Sequence, residues 1–159
     1  MIESIQALLL LFFLIFTLIY TKTLKPGNGK KLFWLWASSW WLLLLGRSIS
    51  WGRDYFPLIP KPFFRFISII LIANIVIFLF SKSLRQEIST KTKTTKLPFW
   101  ELFLIITSYI ISDSIEHNRY LSNYLVFETQ FKDYLEEIYE FPIIIGLFII
   151  SFRFMKVDK

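Results

Sequence analysis

The hydrophobic and polar positions divide the chain into long apolar runs separated by short polar segments. The runs cover 5–20, 32–45, 63–80, 98–111 and 141–154. A membrane-spanning helix needs roughly 17–25 mainly apolar residues. Runs two, four and five are shorter, so we expect their helices to continue into neighbouring polar residues. The pattern predicts an all-α, polytopic membrane helix bundle with about five transmembrane helices (about 4–21, 32–50, 63–82, 98–118 and 134–154) in a single membrane domain, 1–159.

Composition agrees with a chain that has lipid as its main solvent. Of the 159 residues, 55% are hydrophobic and 19% aromatic, and the mean hydropathy is +0.53. Soluble domains are typically about 45–50% apolar. The chain has no cysteine and one histidine, His117. Disulfides, thiolate catalysis, iron–sulfur clusters and multi-histidine metal sites are therefore excluded within one chain.

Charge placement predicts an orientation. The net charge is +6, and most lysines and arginines lie in three segments, 22–31, 82–96 and 153–159. Acidic residues concentrate at 113–140 on the other side of the predicted bundle. Because basic loops stay in the cytoplasm, this favours an N-out/C-in, multi-pass protein of the plasma (inner) membrane. The same placement argues against nucleic acid as a partner and leaves membrane lipids as the expected one.

Four smaller expectations follow from individual residues of the runs and their flanks. The first run is expected to be a retained helix, because its leader carries Glu3 and no basic residue, and no small-x-small site follows it. Residues 89–96, rich in threonine and lysine, read as a solvated cytoplasmic linker. Asn74 is the best candidate for a polar contact between helices, and Glu101 is expected to snorkel or to pair with Lys96.

Residues that could bind a ligand or catalyse a reaction are expected at the outer end of the bundle. Asp113, Glu116 and His117 share one stripe of the fourth helix, since they are three and four residues apart. Glu136 and Glu140 share a face at the start of the fifth helix. Ionisable groups at membrane depth are costly unless paired or hydrated, which makes them candidates for function.

A basic turn is expected at the same outer level. Arg47 and Arg53 bracket a turn that contains Ser50. Their guanidinium groups could pair with the carboxylates or hold an anionic ligand in bidentate fashion. We therefore predict Arg47, Arg53 and Ser50 as ligand-binding residues.

Several functions remain open for this cluster. The leading hypothesis is a site for a divalent metal ion or a proton, with Asp113, His117, Glu136 and Glu140 as the metal ligands. A purely structural clasp of ion pairs follows closely.

An enzyme acting on a lipid-linked or periplasmic substrate is the next hypothesis. It would use His117, Glu116 and Asp113 as catalytic candidates and Ser48, Ser50 or Ser114 as nucleophile, although no nucleophile motif surrounds these serines. The last is a non-catalytic interaction or immunity-type protein, acting as a homo-oligomer or with another membrane protein.

One resemblance accompanies these residues. The Ser-Trp-Gly-Arg turn at 50–53 and the Glu-Glu-x-x-Glu helix start at 136–140 resemble those of small, uncharacterised polytopic membrane proteins of bacteria. Those proteins have Ser-Trp-Gly followed by Arg or Gln. The resemblance implies a small polytopic membrane fold and no particular activity or cofactor.

Overall fold

The computed structural model describes residues 2–25, 29–49, 60–95, 99–116 and 132–158. These residues form helices and no strand, which confirms the all-α prediction. The helices are α1 (Ile2–Thr23), α2 (Gly29–Ser48), α3 (Lys61–Leu79), α4 (Lys82–Thr94), α5 (Phe99–Glu116) and α6 (Lys132–Asp158). They fall into two compact units, one with α1 to α4 and one with α5 and α6.

Helices α1 and α2 form an antiparallel pair held by aromatic side chains. The rings of Phe13 and Trp41 are 5.4 Å apart, and those of Tyr20 and Trp34 are 5.3 Å apart. Seven residues, two helical turns, separate the contacts on each helix, so the two helices stay in register. Trp34 is fully buried. The tryptophans of α2 therefore include packing residues.

Buried hydroxyl groups occur on the same faces of this pair. Thr17 and Ser38 are both buried. Each donates a hydrogen bond to its own helix, Thr17 to the Phe13 carbonyl and Ser38 to the Trp34 carbonyl, both at 2.8 Å. Because each hydroxyl bonds to the carbonyl four residues earlier, neither is left unsatisfied away from water.

Helix α3 is attached to α2 by one polar contact. The indole Nε1 of Trp36 donates a hydrogen bond to the Ile75 carbonyl oxygen at 3.2 Å. The helix starts after Pro60 and carries Pro62 in its first turn, where a missing N–H costs nothing. Its only buried side chains among residues 62–79 are Phe64 and Ile75. Most of α3 is therefore exposed.

Helix α4 corrects the sequence prediction for 89–96. We expected a linker there, but residues 82–94 are helical. Leu84 and Lys91 are buried and Ile88 between them is half-buried. This spacing of four and three gives the helix one face that packs against α2. Threonines at 90, 92 and 94 donate hydrogen bonds to carbonyls four residues earlier. Their hydroxyl groups are thus satisfied within the helix.

Helices α5 and α6 pack closely and run antiparallel. Glu101, in the first turn of α5, forms an ion pair with Arg153 near the end of α6. One turn later Ile105 packs against Gly146. The α5 face that includes these residues also carries the buried Ser108, Ser112 and Ile115. Small residues at such a face let membrane helices approach each other closely.

Among the described residues, three helices are long and apolar enough to cross a membrane, at Ile2–Thr23, Pro62–Leu79 and Glu137–Asp158, or four if α4 and α5 form one broken span. The described part of the chain thus has the helices of a membrane protein. Four tryptophans and three serines dilute the apolar character of α2, and α5 carries three acids. The predicted count of five crossings, the N-out/C-in orientation and the single-domain organisation stay predictions.

Candidate functional site

The register of α5 against α6 brings acidic residues of both helices to one level. Gly146 lies opposite Ile105. Eight residues further along α5 is Asp113, and eight residues back along α6 is Ile138. Glu137 and Glu140 flank that position. Because the helices are antiparallel, Asp113 stands about level with Glu137 and Glu140, as the sequence analysis expected for the end of α5 and the start of α6.

These three carboxylates are partly buried. Asp113, Glu137 and Glu140 are each of intermediate exposure and each takes part in an interaction. No group of three or more His, Cys, Asp or Glu side chains that could hold a metal ion occurs within the described residues. The three carboxylates lie at a similar height along the helices, but that position alone does not make them converge on a common ligand.

Much of the predicted cluster lies outside the described residues. His117, Ser50 and Arg53 fall in undescribed segments. Glu116 is the last residue of α5, and Glu136 lies near the start of α6. The structure describes only the backbone of these two residues. The predicted ligand set of Asp113, His117, Glu136 and Glu140 is thus untested and stays a prediction. The same holds for the catalytic candidates His117, Glu116 and Asp113.

Arg47 is in the last turn of α2, where it is exposed and takes part in an interaction. A cation in this position interacts favourably with the carbonyl end of its helix. Its predicted role as a ligand-binding residue, together with Arg53 and Ser50, stays a prediction.

The serine candidates differ in their surroundings. The Ser114 hydroxyl is buried and donates a hydrogen bond to the Ile110 carbonyl at 2.6 Å. That bond occupies the proton which a general base would have to remove, so Ser114 is placed as a helix-packing residue. The Ser48 hydroxyl oxygen is buried and has no hydrogen-bond partner among the described residues.

At the opposite end of the α5–α6 pair, Glu101 pairs with Arg153. The expected partner, Lys96, lies outside the described residues. Glu101 is 21% exposed and Arg153 is 48% exposed. The partners are 52 residues apart in the chain, so only the helix register reveals the pair. The ion pair compensates the charge of the acid in the first turn of α5.

An open apolar groove of about 560 Å³ lies along α5 and α6. Apart from Glu101, its walls are apolar or aromatic side chains, with Trp100, Leu104, Phe141 and Ile149 among them. Gly146 and Pro142 also line it. Because Pro142 lacks an N–H, the carbonyl of Ile138 loses its usual intrahelical donor. The groove therefore has the chemistry of a surface for acyl chains or apolar side chains.

The first unit holds a buried cation that sequence reasoning missed. The Lys91 Nζ atom is 4.8 Å from the Phe33 ring centroid and 5.4 Å from that of Trp34. The Glu87 carboxylate is 3.5 Å from the same nitrogen. Lys91 is only 4% exposed. The aromatic faces and the carboxylate stabilise the ammonium group, and its stem packs on apolar surface.

The sequence feature that could have predicted the buried position of Lys91 is the spacing of the residues on its helical face. Leu84, Ile88 and Lys91 are spaced by four and three, which is typical of one helical face. The lysine at the end of that pattern was counted as an ordinary charge of a basic loop. Gly29 shows how closely α4 approaches the start of α2, since a Cβ there would stand 3.1 Å from the Ser83 Oγ atom.

No protein-family model, curated protein or solved structure matches this chain. The resemblance based on residues 50–53 and 136–140 therefore stays a prediction.

Proposed function

We propose that this small integral membrane protein acts by binding another membrane-embedded protein, without catalysing a reaction. The observation that carries the proposal is the exposure of Asn74. This residue lies inside the apolar run of α3, five residues before its end at Leu79, and its side chain is exposed. Asn74 was expected to contact another helix. Among the described residues, none forms a hydrogen bond with its side-chain amide.

An exposed polar residue of a spanning helix faces either lipid tails or another protein. A carboxamide has two N–H donors and one carbonyl acceptor. Lipid tails offer it no partner, whereas a second transmembrane helix can. Asparagine is also too short to reach the interface from more than a turn inside the helix. A protein partner at this face would satisfy the amide.

The neighbouring side chains of α3 support the same proposal. Ile70 and Ile77 are 50% and 65% exposed and lie four residues before and three residues after Asn74. They share one helical face with it. A stripe of aliphatic residues with one polar group is typical of the contact face of a membrane helix.

Photo-crosslinking in the native membrane tests the proposal. A benzophenone amino acid replaces Ile77 on the Asn74 face or, as control, Ile72, which is 48% exposed and two residues from Asn74, on the other side of α3. We expect protein adducts from position 77 and only lipid adducts from position 72. Only lipid adducts at both positions would contradict the proposed function.

A second function, binding of a cation or proton at the acidic end of α5 and α6, is favoured by one observation. The helix register brings Asp113 level with Glu137 and Glu140, so negative charge accumulates at one membrane depth. Negative charge that accumulates at one depth attracts a cation.

Elemental analysis of detergent-purified protein tests this second function for a metal. Wild type is compared with an Asp113→Asn/Glu137→Gln/Glu140→Gln variant. Near-stoichiometric metal in wild type only would support it. Absence of metal together with a lower melting temperature of the variant would identify a clasp of ion pairs. The enzyme hypothesis stays a prediction, because His117, Ser50 and Arg53 lie outside the described residues.

A further inference from the structure

We infer that the partner of α3 is α3 of a second copy of the same chain, in a parallel dimer with the two Asn74 side chains facing each other. This inference rests on the proposed function and names its partner. It is carried by the residues that share a face with Asn74 and by the chemistry of the carboxamide.

The contact face is a continuous stripe. Phe63, Phe66, Ile70, Asn74 and Ile77 follow one another at spacings of three, four, four and three, and all five are exposed. At about 100° per residue these positions fall within about 80° of one another around the helix. We call these five residues the α3 stripe. Ala73, also exposed, borders it and leaves room for close approach of a second backbone.

The carboxamide of Asn74 is self-complementary. Its N–H groups can donate to the carbonyl of an identical group, and its own carbonyl can accept in return. Copies inserted in one orientation pair around an axis along the membrane normal, so their α3 helices run parallel and identical residues meet. A single asparagine in an apolar seam is a known way to specify register and oligomeric state. A second copy supplies the partner group at the required depth.

The charged residue of α3 does not oppose this arrangement. Arg65 is nine residues before Asn74, which at about 100° per residue places it on the opposite side of the helix. Its exposed side chain therefore points away from the axis of such a dimer. Repulsion between two arginines across the interface is avoided.

The absence of cysteine from the chain makes disulfide scanning direct. Single variants Phe66→Cys, Ile70→Cys and Ile77→Cys report on the α3 stripe and leave Asn74 in place. Ile69→Cys, Ile72→Cys and Val76→Cys are matched controls, because these residues are 61%, 48% and 45% exposed on the same helix but away from the stripe. After mild oxidation of native membranes, we expect disulfide-linked dimers from the first set, at twice the 19.1 kDa of the chain, and few from the second.

A second pair of variants separates the polar contact from simple proximity. Asn74→Leu is expected to lower dimer yield of the Ile77→Cys protein about threefold to tenfold, as one interhelical hydrogen bond would. Asn74→Gln keeps the carboxamide and should retain the yield. Both variants keep a folded apolar helix, so a general loss of protein is not expected.

The outcomes are distinct. Dimers from the stripe that depend on Asn74 support the inference. Equal cross-linking from both faces of α3 would indicate random collision and overturn it. A third outcome is that no disulfide dimer forms while the photo-crosslinker at position 77 attaches to a different protein. That outcome would overturn the inference and leave the proposed function standing. Lipid adducts alone would overturn both.

Discussion

Gly146 of α6 lies so close to Ile105 of α5 that a Cβ at residue 146 would stand 2.7 Å from the Ile105 Cγ1 atom and 2.9 Å from its Cδ1 atom. Such distances are shorter than side chains adopt. The close approach of these helices therefore depends on the absence of a side chain at this position, in the apolar middle of the α5–α6 pair.

Replacing Gly146 by alanine should destabilise the protein. We expect a loss of about 1–3 kcal/mol in the free energy of unfolding, because the helices must separate or Ile105 must leave its rotamer. Thermal unfolding in detergent, followed by circular dichroism, measures the change.

The compensating variant is Ile105→Ala, which removes both atoms that collide. In that background Gly146→Ala should cost clearly less than in wild type, as expected for residues in contact. Equal costs in the two backgrounds would contradict the contact.

Arg153→Met should destabilise the protein more than Glu101→Gln does. The first change leaves the carboxylate of the less exposed Glu101 without its cation, whereas the second leaves Arg153, which is 48% exposed, free to reach water. We expect a difference of about 1 kcal/mol between the two variants. Melting temperatures of both variants and of the exchanged pair Glu101→Arg/Arg153→Glu give the comparison. The prediction fails if Glu101→Gln is the more damaging change.

Lys91 should be protected from amine-reactive reagents, whereas Lys93 on the same helix should react. Lys91 is 4% exposed and held by two aromatic rings and Glu87, while Lys93 is exposed. Peptide mass spectrometry after brief treatment with an acylating ester gives the two rates. Similar rates would show that α4 does not hold its position on α2.

The same pair of lysines gives a stability comparison. Lys91→Ala should lower the free energy of unfolding by about 1–3 kcal/mol, because it removes a buried stem and a cation over aromatic faces. Lys93→Ala is the matched control, with an expected change within about 0.5 kcal/mol. Equal effects of the two substitutions would count against the described packing of Lys91.

Trp36→Phe should weaken the attachment of α3 to α2. The change keeps an aromatic ring but removes the N–H that donates to the Ile75 carbonyl. We expect a cost of about 0.5–1.5 kcal/mol, measured by thermal unfolding. Trp40→Phe serves as control, because Trp40 is 42% exposed on the same helix. A larger effect at Trp40 would speak against the contact.

The sequence by itself determined that the described residues form helices, with apolar segments of membrane length among them. The physical reason is that a backbone in lipid must satisfy its own hydrogen bonds, so long apolar runs have few structures open to them. The helix length needed to span a membrane also predicted that Asp113 and Glu140 lie near the same end of the α5–α6 pair.

Only the tertiary structure decided which side chains meet and which remain exposed. The ion pair of Glu101 with Arg153 depends on the register of two antiparallel helices, which no local pattern specifies. Residues 89–94 are helical because α4 gains apolar contacts on α2, against the tendency of threonine and lysine to form a solvated loop. Asn74 was expected to contact a neighbouring helix. In the structure Ile75 packs on α2, and Asn74 lies on the exposed side of α3. The reason is that neighbouring residues of a helix point about 100° apart.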